Sequence, residues 1–222
     1  MATKMLFHMH TKYMFASCGP DGQNGNDGRC YNDKLCFELC IDGEDVIIDP
    51  GTYVYTPEPE WRNKFSGTVY HNTVTVDNKE PNRFSDKDLF RVENNAITKC
   101  LKWEIGDEID FFIGEHYGYK RLSHPVIYKR EIKFHKKERK LEIIDRFEGE
   151  GKHNLEWNLI LSPEFKRNLN IGSDQLQWHK EPVFYSPKYG TITKTQKFTT
   201  TLKIVMPYSG SFWFNKTDER NG

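Results

Sequence analysis

The sequence predicts an all-β fold of many short antiparallel strands with one short helix, closed as a sandwich or a barrel. Three observations predict it. Short segments rich in β-branched and aromatic residues recur from end to end. Gly, Pro, Asn and Asp punctuate them. No segment carries a long helical period. Many antiparallel strands at such spacing close into a sandwich or a barrel.

In chain order, strands are expected at Tyr13–Cys18, Leu35–Ile41, Asp45–Ile48, Asn72–Val76, Leu89–Asn94, Ile97–Glu104 and Ile109–Tyr117. They continue at Val126–Phe134, Lys140–Arg146, Asn154–Leu161, Gln175–His179, Thr191–Lys197, Thr200–Met206 and Ser211–Phe214. The second strand alternates clearly: Leu35, Phe37, Leu39 and Ile41 share one face, and Cys36, Glu38 and Cys40 the other. The one helix is expected at Pro59–Phe65, where Pro59 suits the first turn. Gly19–Asp33, rich in Gly, Asn and Asp, reads as a long loop, either functional or a plain connector. The chain is read as a single domain over residues 1–222, with Lys120–Pro125 the one candidate boundary.

A length of 222 residues suits one large all-β domain or two small ones. Lys+Arg and Asp+Glu each number 32, so the net charge is zero and no basic excess points to nucleic acid. Local basic patches remain compatible with an acidic sugar polymer. No run of about 18 apolar residues is present, so no membrane span is expected. His8, His10, Thr11 and Lys12 break the N-terminal apolar stretch, which does not read as a signal peptide. Five cysteines, an odd number, argue against a full disulfide framework, and no C-x2-C pair marks a zinc finger. Cys36 and Cys40 read as small half-buried strand residues.

The chemistry concentrates between Gly28 and Phe84. Asp49 ends an apolar run before Pro-Gly, Arg62 and Asn63 follow a Trp on the helix, and His71-Asn72-Thr73 opens a strand. A carboxylate and an imidazole at strand ends can converge on Zn²⁺. The plainer alternative is that Asp49 caps a turn and His71 hydrogen-bonds within the core.

The segment resembles the C-terminal domain of the heparinase II/III-like family. The matching pieces are Asp33-Lys34-Leu35-Cys36-Phe37, Asp49-Pro50-Gly51-Thr52-Tyr53, Trp61-Arg62-Asn63-Lys64-Phe65 and Tyr70-His71-Asn72-Thr73, in the family's order and spacing. Gly114-Glu115-His116-Tyr117-Gly118-Tyr119, Ile144-Asp145-Arg146 and Ser186-Pro187-Lys188-Tyr189-Gly190 extend the resemblance over most of the chain. It implies an antiparallel, supersandwich-like β-sandwich with an α/α toroid ahead of it; the toroid is read as absent from residues 1–222 and is expected to act in cis or in trans. It implies β-elimination on a uronic-acid polysaccharide at the cleft between the two, in a periplasmic or secreted protein. It also implies a zinc ion held by a loop histidine, the Asp of Asp-Pro-Gly and the His of His-Asn-Thr, the last two being Asp49 and His71 here.

At the family's two loop histidines this chain has Arg29 and Tyr31. Arg29 keeps a positive charge suited to a uronate carboxylate, but a guanidinium is no general base. Tyr31 replaces an imidazole by a phenol, which degrades the zinc site. β-Elimination needs proton abstraction, neutralisation of the uronate carboxylate and protonation of the leaving oxygen. Arg29, Arg62 and Asn63 are candidates for the second task, and Tyr31, Tyr53, Tyr55 and Tyr70 for proton transfer, against ordinary packing of each phenol. His116 is read as either cleft-lining or structural. His8, His10, His124, His135, His153 and His179 are scattered and read as surface or packing residues. Two functions remain: the sandwich half of a polysaccharide lyase, inactive alone, or a non-catalytic module that binds acidic glycans or stabilises a partner.

Overall fold

A computed structural model describes residues 4–9, 12–19, 31–55, 58–84, 92–167 and 169–214. These residues hold fourteen strands: β1 (Lys4–Met9), β2 (Lys12–Ser17), β3 (Phe37–Ile41), β4 (Glu44–Ile47), β5 (Val74–Val76), β6 (Thr98–Ile105) and β7 (Ile109–His116). β8 (Val126–His135), β9 (Lys140–Gly149), β10 (Lys152–Ile160), β11 (Ile171–Gly172), β12 (His179–Lys188), β13 (Thr191–Val205) and β14 (Tyr208–Phe214) follow. One α-helix, α1 (Pro59–Ser66), lies where Pro59 predicts it. The strands form three antiparallel sheets, ordered β1-β2-β3-β4, β12-β13-β10-β5 and β11-β14-β9-β8-β7-β6. The expected sandwich of antiparallel strands is therefore present.

Period-two burial builds the core. On β8, Val126, Tyr128, Arg130 and Ile132 face inward and are each fully buried. Facing residues of the other strands complete one large cluster that includes Phe37, Phe112, Phe147, Trp157, Phe212 and Phe214. Each such side chain contributes roughly 1.5–3 kcal/mol by leaving water. A smaller cluster of Ile48, Phe65, Tyr70, Ile160 and Val183 lies under α1, with Trp61 against Phe184 at 5.3 Å.

The structure departs from expectation in several places, and it adds two strands that the sequence reading does not contain, β1 and β11. Gln175–His179 is not a strand: Ser173 Oγ accepts the N–H groups of Gln175 and Leu176, at 3.3 and 3.0 Å, and bends the chain. The strand lies just beyond, at β12, where Pro182 and Pro187 mask it. Prolines are tolerated there because β12 is the edge of its sheet. Thr191–Lys197 and Thr200–Met206 merge into the single long β13, paired with β12 on one side and β10 on the other. Of Leu89–Asn94, residues 89–91 lie outside the described residues, and Val92 makes an isolated bridge to Phe84.

A polar knot crosses this apolar interior. Arg130 Nε and Nη2 donate to the two Asp145 oxygens at 2.7 and 2.9 Å, and both residues are fully buried. Tyr128 Oη and Trp157 Nε1 also donate to Asp145. Arg130 Nη1 donates to the carbonyls of Leu35 and Asn72, at 2.9 and 2.7 Å. One guanidinium thus fixes two loop segments from outside its own sheet.

Candidate functional site

Three segments converge at one end of the sandwich. The first is the turn after β4. Asp49 Oδ1 accepts the Gly51 N–H at 2.9 Å, an Asx-type turn. Gly51 has φ +78°, and a Cβ there would lie 2.1 Å from the Ser186 carbonyl oxygen, so glycine is required. Tyr53 also occupies the left-handed region, at φ 62°. Ser186 and Gly190 restrain it. Tyr53 N donates to Ser186 Oγ at 3.0 Å, and Gly190 N donates to the Tyr53 carbonyl at 2.7 Å. The Asp-Pro-Gly-Thr-Tyr and Ser-Pro-Lys-Tyr-Gly pieces, far apart in sequence, are clamped together, with Tyr55 stacked on Tyr189 at 5.5 Å.

The second segment carries His71. A 3-10 turn over Thr68–Tyr70 delivers it, and the His71 N–H closes that turn on the Thr68 carbonyl. Glu80 holds the turn by accepting the Thr68 hydroxyl at 2.6 Å and its N–H at 3.0 Å. Next in line, Asn72 donates to the Phe37 and Ile48 carbonyls and accepts the Ile160 N–H. The third segment carries Tyr31. Its neighbour Asn32 bonds Asn82 in both directions and donates its backbone N–H to Ser66.

His71 is 1% exposed, and its Nδ1 lies 3.3 Å from Asp49 Oδ2. The angles at that separation are poor, and neither ring nitrogen has a hydrogen-bond partner among the described residues. Burial disfavours the charged ring, but the Asp49 carboxylate outweighs it, with Asp33 and Glu80 adding, and the His71 pKa is raised. The Tyr31 ring meets His71 edge-on at 5.7 Å, and its hydroxyl pairs with Thr52 Oγ1 at 2.5 Å. Burial, more than the opposing Thr52 bond, raises the Tyr31 pKa, with Asp49 adding and Arg62 opposing. Asp33 and Asp49 share the lining of a cavity of about 20 Å³, room for about one water.

Of the expected site residues, Asp49, His71 and Tyr31 therefore come together, with Arg62 near enough to bias Tyr31. Arg62 itself is 4% exposed; it donates to Asn63 Oδ1 and lies over the Phe84 ring at 5.7 Å. Asn63 is exposed. His116 stands apart on β7, 1% exposed, between the Tyr119 and Tyr128 rings, with Nδ1 accepting the Gly118 N–H. Of its two readings, the ring has the surroundings of the structural one. Arg29 lies outside the described residues. Sequence reasoning names Asn72 and Ser186 only within motif pieces, with no task assigned to either, and does not single out Arg130, whose signal is a charge at an inward position of an alternating strand.

Zinc accepts a histidine nitrogen and a carboxylate oxygen. The buried His71 ring, 3.3 Å from the Asp49 carboxylate and without a hydrogen bond among the described residues, fits two such ligands. Among the described residues no three His, Cys, Asp or Glu side chains group closely enough to share a metal, so the site offers two firm donors and the Tyr31 phenol.

A sequence model of the family described as heparinase II/III-like, C-terminal, matches residues 5–216. A heparin-sulfate lyase of Bacteroides stercoris is 32% identical over 98 residues, covering 43% of this chain and 13% of that protein. The structure is similar to that of the heparan sulfate lyase HepC of Pedobacter heparinus, with TM-score 0.76 and 20% identity over 95% of this chain and 34% of that one. A crystal structure of heparinase III gives TM-score 0.69 and 17% identity over 97% of this chain and 35% of that one. The chain thus spans about a third of the length of these solved relatives.

Proposed function

Because the chain belongs to the heparinase II/III-like C-terminal family, we propose that it is the β-sandwich portion of a polysaccharide lyase, cleaving uronic-acid-containing polysaccharide by β-elimination with an α/α toroid supplied in cis or in trans. The observation that carries this reading is the convergence of Asp49, His71 and Tyr31 from three segments at one end of the sandwich. The relatives' names make a heparin- or heparan-type glycosaminoglycan the first substrate to test. An exported location, periplasmic or secreted, follows from the same reading.

The residues divide the chemistry. A phenol whose pKa burial raises stays protonated near neutral pH, so Tyr31 suits protonation of the leaving oxygen better than abstraction of the C5 proton. Arg29 pairs with the uronate carboxylate, and exposed Asn63 meets sugar hydroxyls. Buried Arg62 acts by holding Asn63 and biasing Tyr31. Proton abstraction falls to the toroid. We assign zinc to Asp49 and His71, in a site that Tyr31 degrades by standing as a protonated phenol where the family has an imidazole ligand; when bound, the ion would supply fixed positive charge. Lyase assays that follow formation of the unsaturated uronate product test the reading. The chain alone gives none, addition of a toroid domain restores it, and Tyr31→Phe reduces the restored rate. Robust turnover by the chain alone, or none with the toroid, overturns the proposal.

The second reading, a non-catalytic module for acidic glycans, is favoured by one observation: Arg29 and Tyr31 stand where the family has histidines. It expects saturable, salt-sensitive binding of heparin that Arg29→Ala weakens. Indifference to every acidic glycan tested counts against it.

A further inference from the structure

Two thiols from different sheets meet away from the site described above. Cys18 follows β2 and is buried, and Cys100 lies on β6 and is exposed. The register explains the meeting. Cys100 pairs across the ladder with Gly114 of β7, so no side chain stands opposite it. The Cys18 Sγ occupies the vacated space: a Cβ on Gly114 would lie 3.1 Å from it. Opposed Cβ positions on antiparallel strands are about 4.5–5.5 Å apart, within reach of a Cys100 sulfur. The Cys100 Sγ donates to the Lys102 carbonyl at 3.7 Å, and the two thiols are close enough for each to shift the acidity of the other.

We propose that Cys18 and Cys100 form a site of oxidative cross-linking, closed into a disulfide by exchange with a disulfide-bearing oxidant. The exposed Cys100 loses its proton and attacks one sulfur of the oxidant, giving a mixed disulfide and releasing one thiol. Cys18 then loses its proton, attacks the Cys100 sulfur and expels the second thiol. Two protein thiols are oxidised, and one oxidant disulfide is reduced to two thiols. Burial, then the neighbouring Cys100, pushes the Cys18 thiol up to about 12, with Glu115 adding and Lys34 opposing, so Cys18 is the resolving and not the attacking sulfur. The bond would join β2 to β6, the edge strand of the six-stranded sheet. It would close a loop of about 80 residues, a length at which cross-links restrict the unfolded chain strongly. None of this depends on the lyase reading.

The full chain is incubated with oxidised glutathione, alkylated, digested without reduction and mapped by mass spectrometry. The expected product has lost the mass of two hydrogens and joins the Cys18 and Cys100 peptides. Its melting temperature is several degrees higher, and dithiothreitol reverses the gain. Cys100→Ser, at an exposed position, folds and shows neither effect, while Cys18→Ser stops at the glutathione adduct on Cys100. Recovery of Cys18 and Cys100 both alkylated, or of either joined to Cys30, overturns the proposal.

Discussion

Single residues carry constraints that can be separated by experiment. Gly43 and Gly51 have nearly the same backbone angle, φ +79° and +78°, but different surroundings. A Cβ on Gly43 meets nothing within 4 Å, whereas one on Gly51 meets the Ser186 carbonyl. Gly43→Ala is expected to cost about 1 kcal/mol, from backbone strain alone. Gly51→Ala adds steric displacement and is expected to cost roughly 2–4 kcal/mol by urea unfolding. Equal costs would mean that the clamp on Ser186 yields freely. His116 makes a pH prediction. Burial, with Lys34 and Arg130 adding, lowers its pKa to about 3. The unfolded ring titrates near about 6.5, so between those values the unfolded chain binds more protons. His116 therefore contributes stability above about 6.5 that is lost as pH falls toward about 3. By pH about 4.5 the loss is on the order of 2–3 kcal/mol. The His116→Asn variant should show a flatter profile over that window in chemical denaturation, and an unchanged slope would remove His116 from the account.

At the scale of elements, Arg130 and Asp145 join β8 and β9 to the Leu35 and Asn72 segments, and Trp157 adds β10. Removing one partner leaves a buried charge uncompensated. Arg130→Met or Asp145→Leu is expected to cost roughly 3–5 kcal/mol each. The double variant should cost clearly less than the sum, because neither charge is then stranded. Additive costs by denaturant titration would show that the two do not act as a unit. The same network shows what a sequence conceals. Alternation on β8 and the punctuation around α1 are local, and they were legible. The strand at β12 was not, because its prolines imitate a break that only its edge position in the sheet permits. At the site, Asp49 and His71 stood out as polar residues at strand ends. Ser186 stands in the Ser-Pro-Lys-Tyr-Gly piece, but nothing in that piece announces its clamp on Tyr53, 133 residues away.

At the scale of the molecule, the candidate site is where chain segments distant in sequence are brought to one end. A metal bound at Asp49 and His71 binds only the folded state, so its affinity appears as stability. At a zinc concentration ten times Kd the gain is about 1.4 kcal/mol, seen as a rise in melting temperature that His71→Ala abolishes. Elemental analysis of the purified chain gives the companion measurement. Stoichiometric zinc in the wild type, absent from His71→Ala, would mean that two protein ligands and Tyr31 or water suffice, in a domain still built for a lyase cleft. Asp49→Ala should then lose zinc as well. Tyr31→His, which restores the imidazole of the family, should tighten binding. No metal in wild type or Tyr31→His would mean that the change at residue 31 is not what cost the site its ion. The buried His71 ring, without a hydrogen bond among the described residues, would then have only the Asp49 carboxylate to offset its burial, and the glycan-binding reading would take precedence.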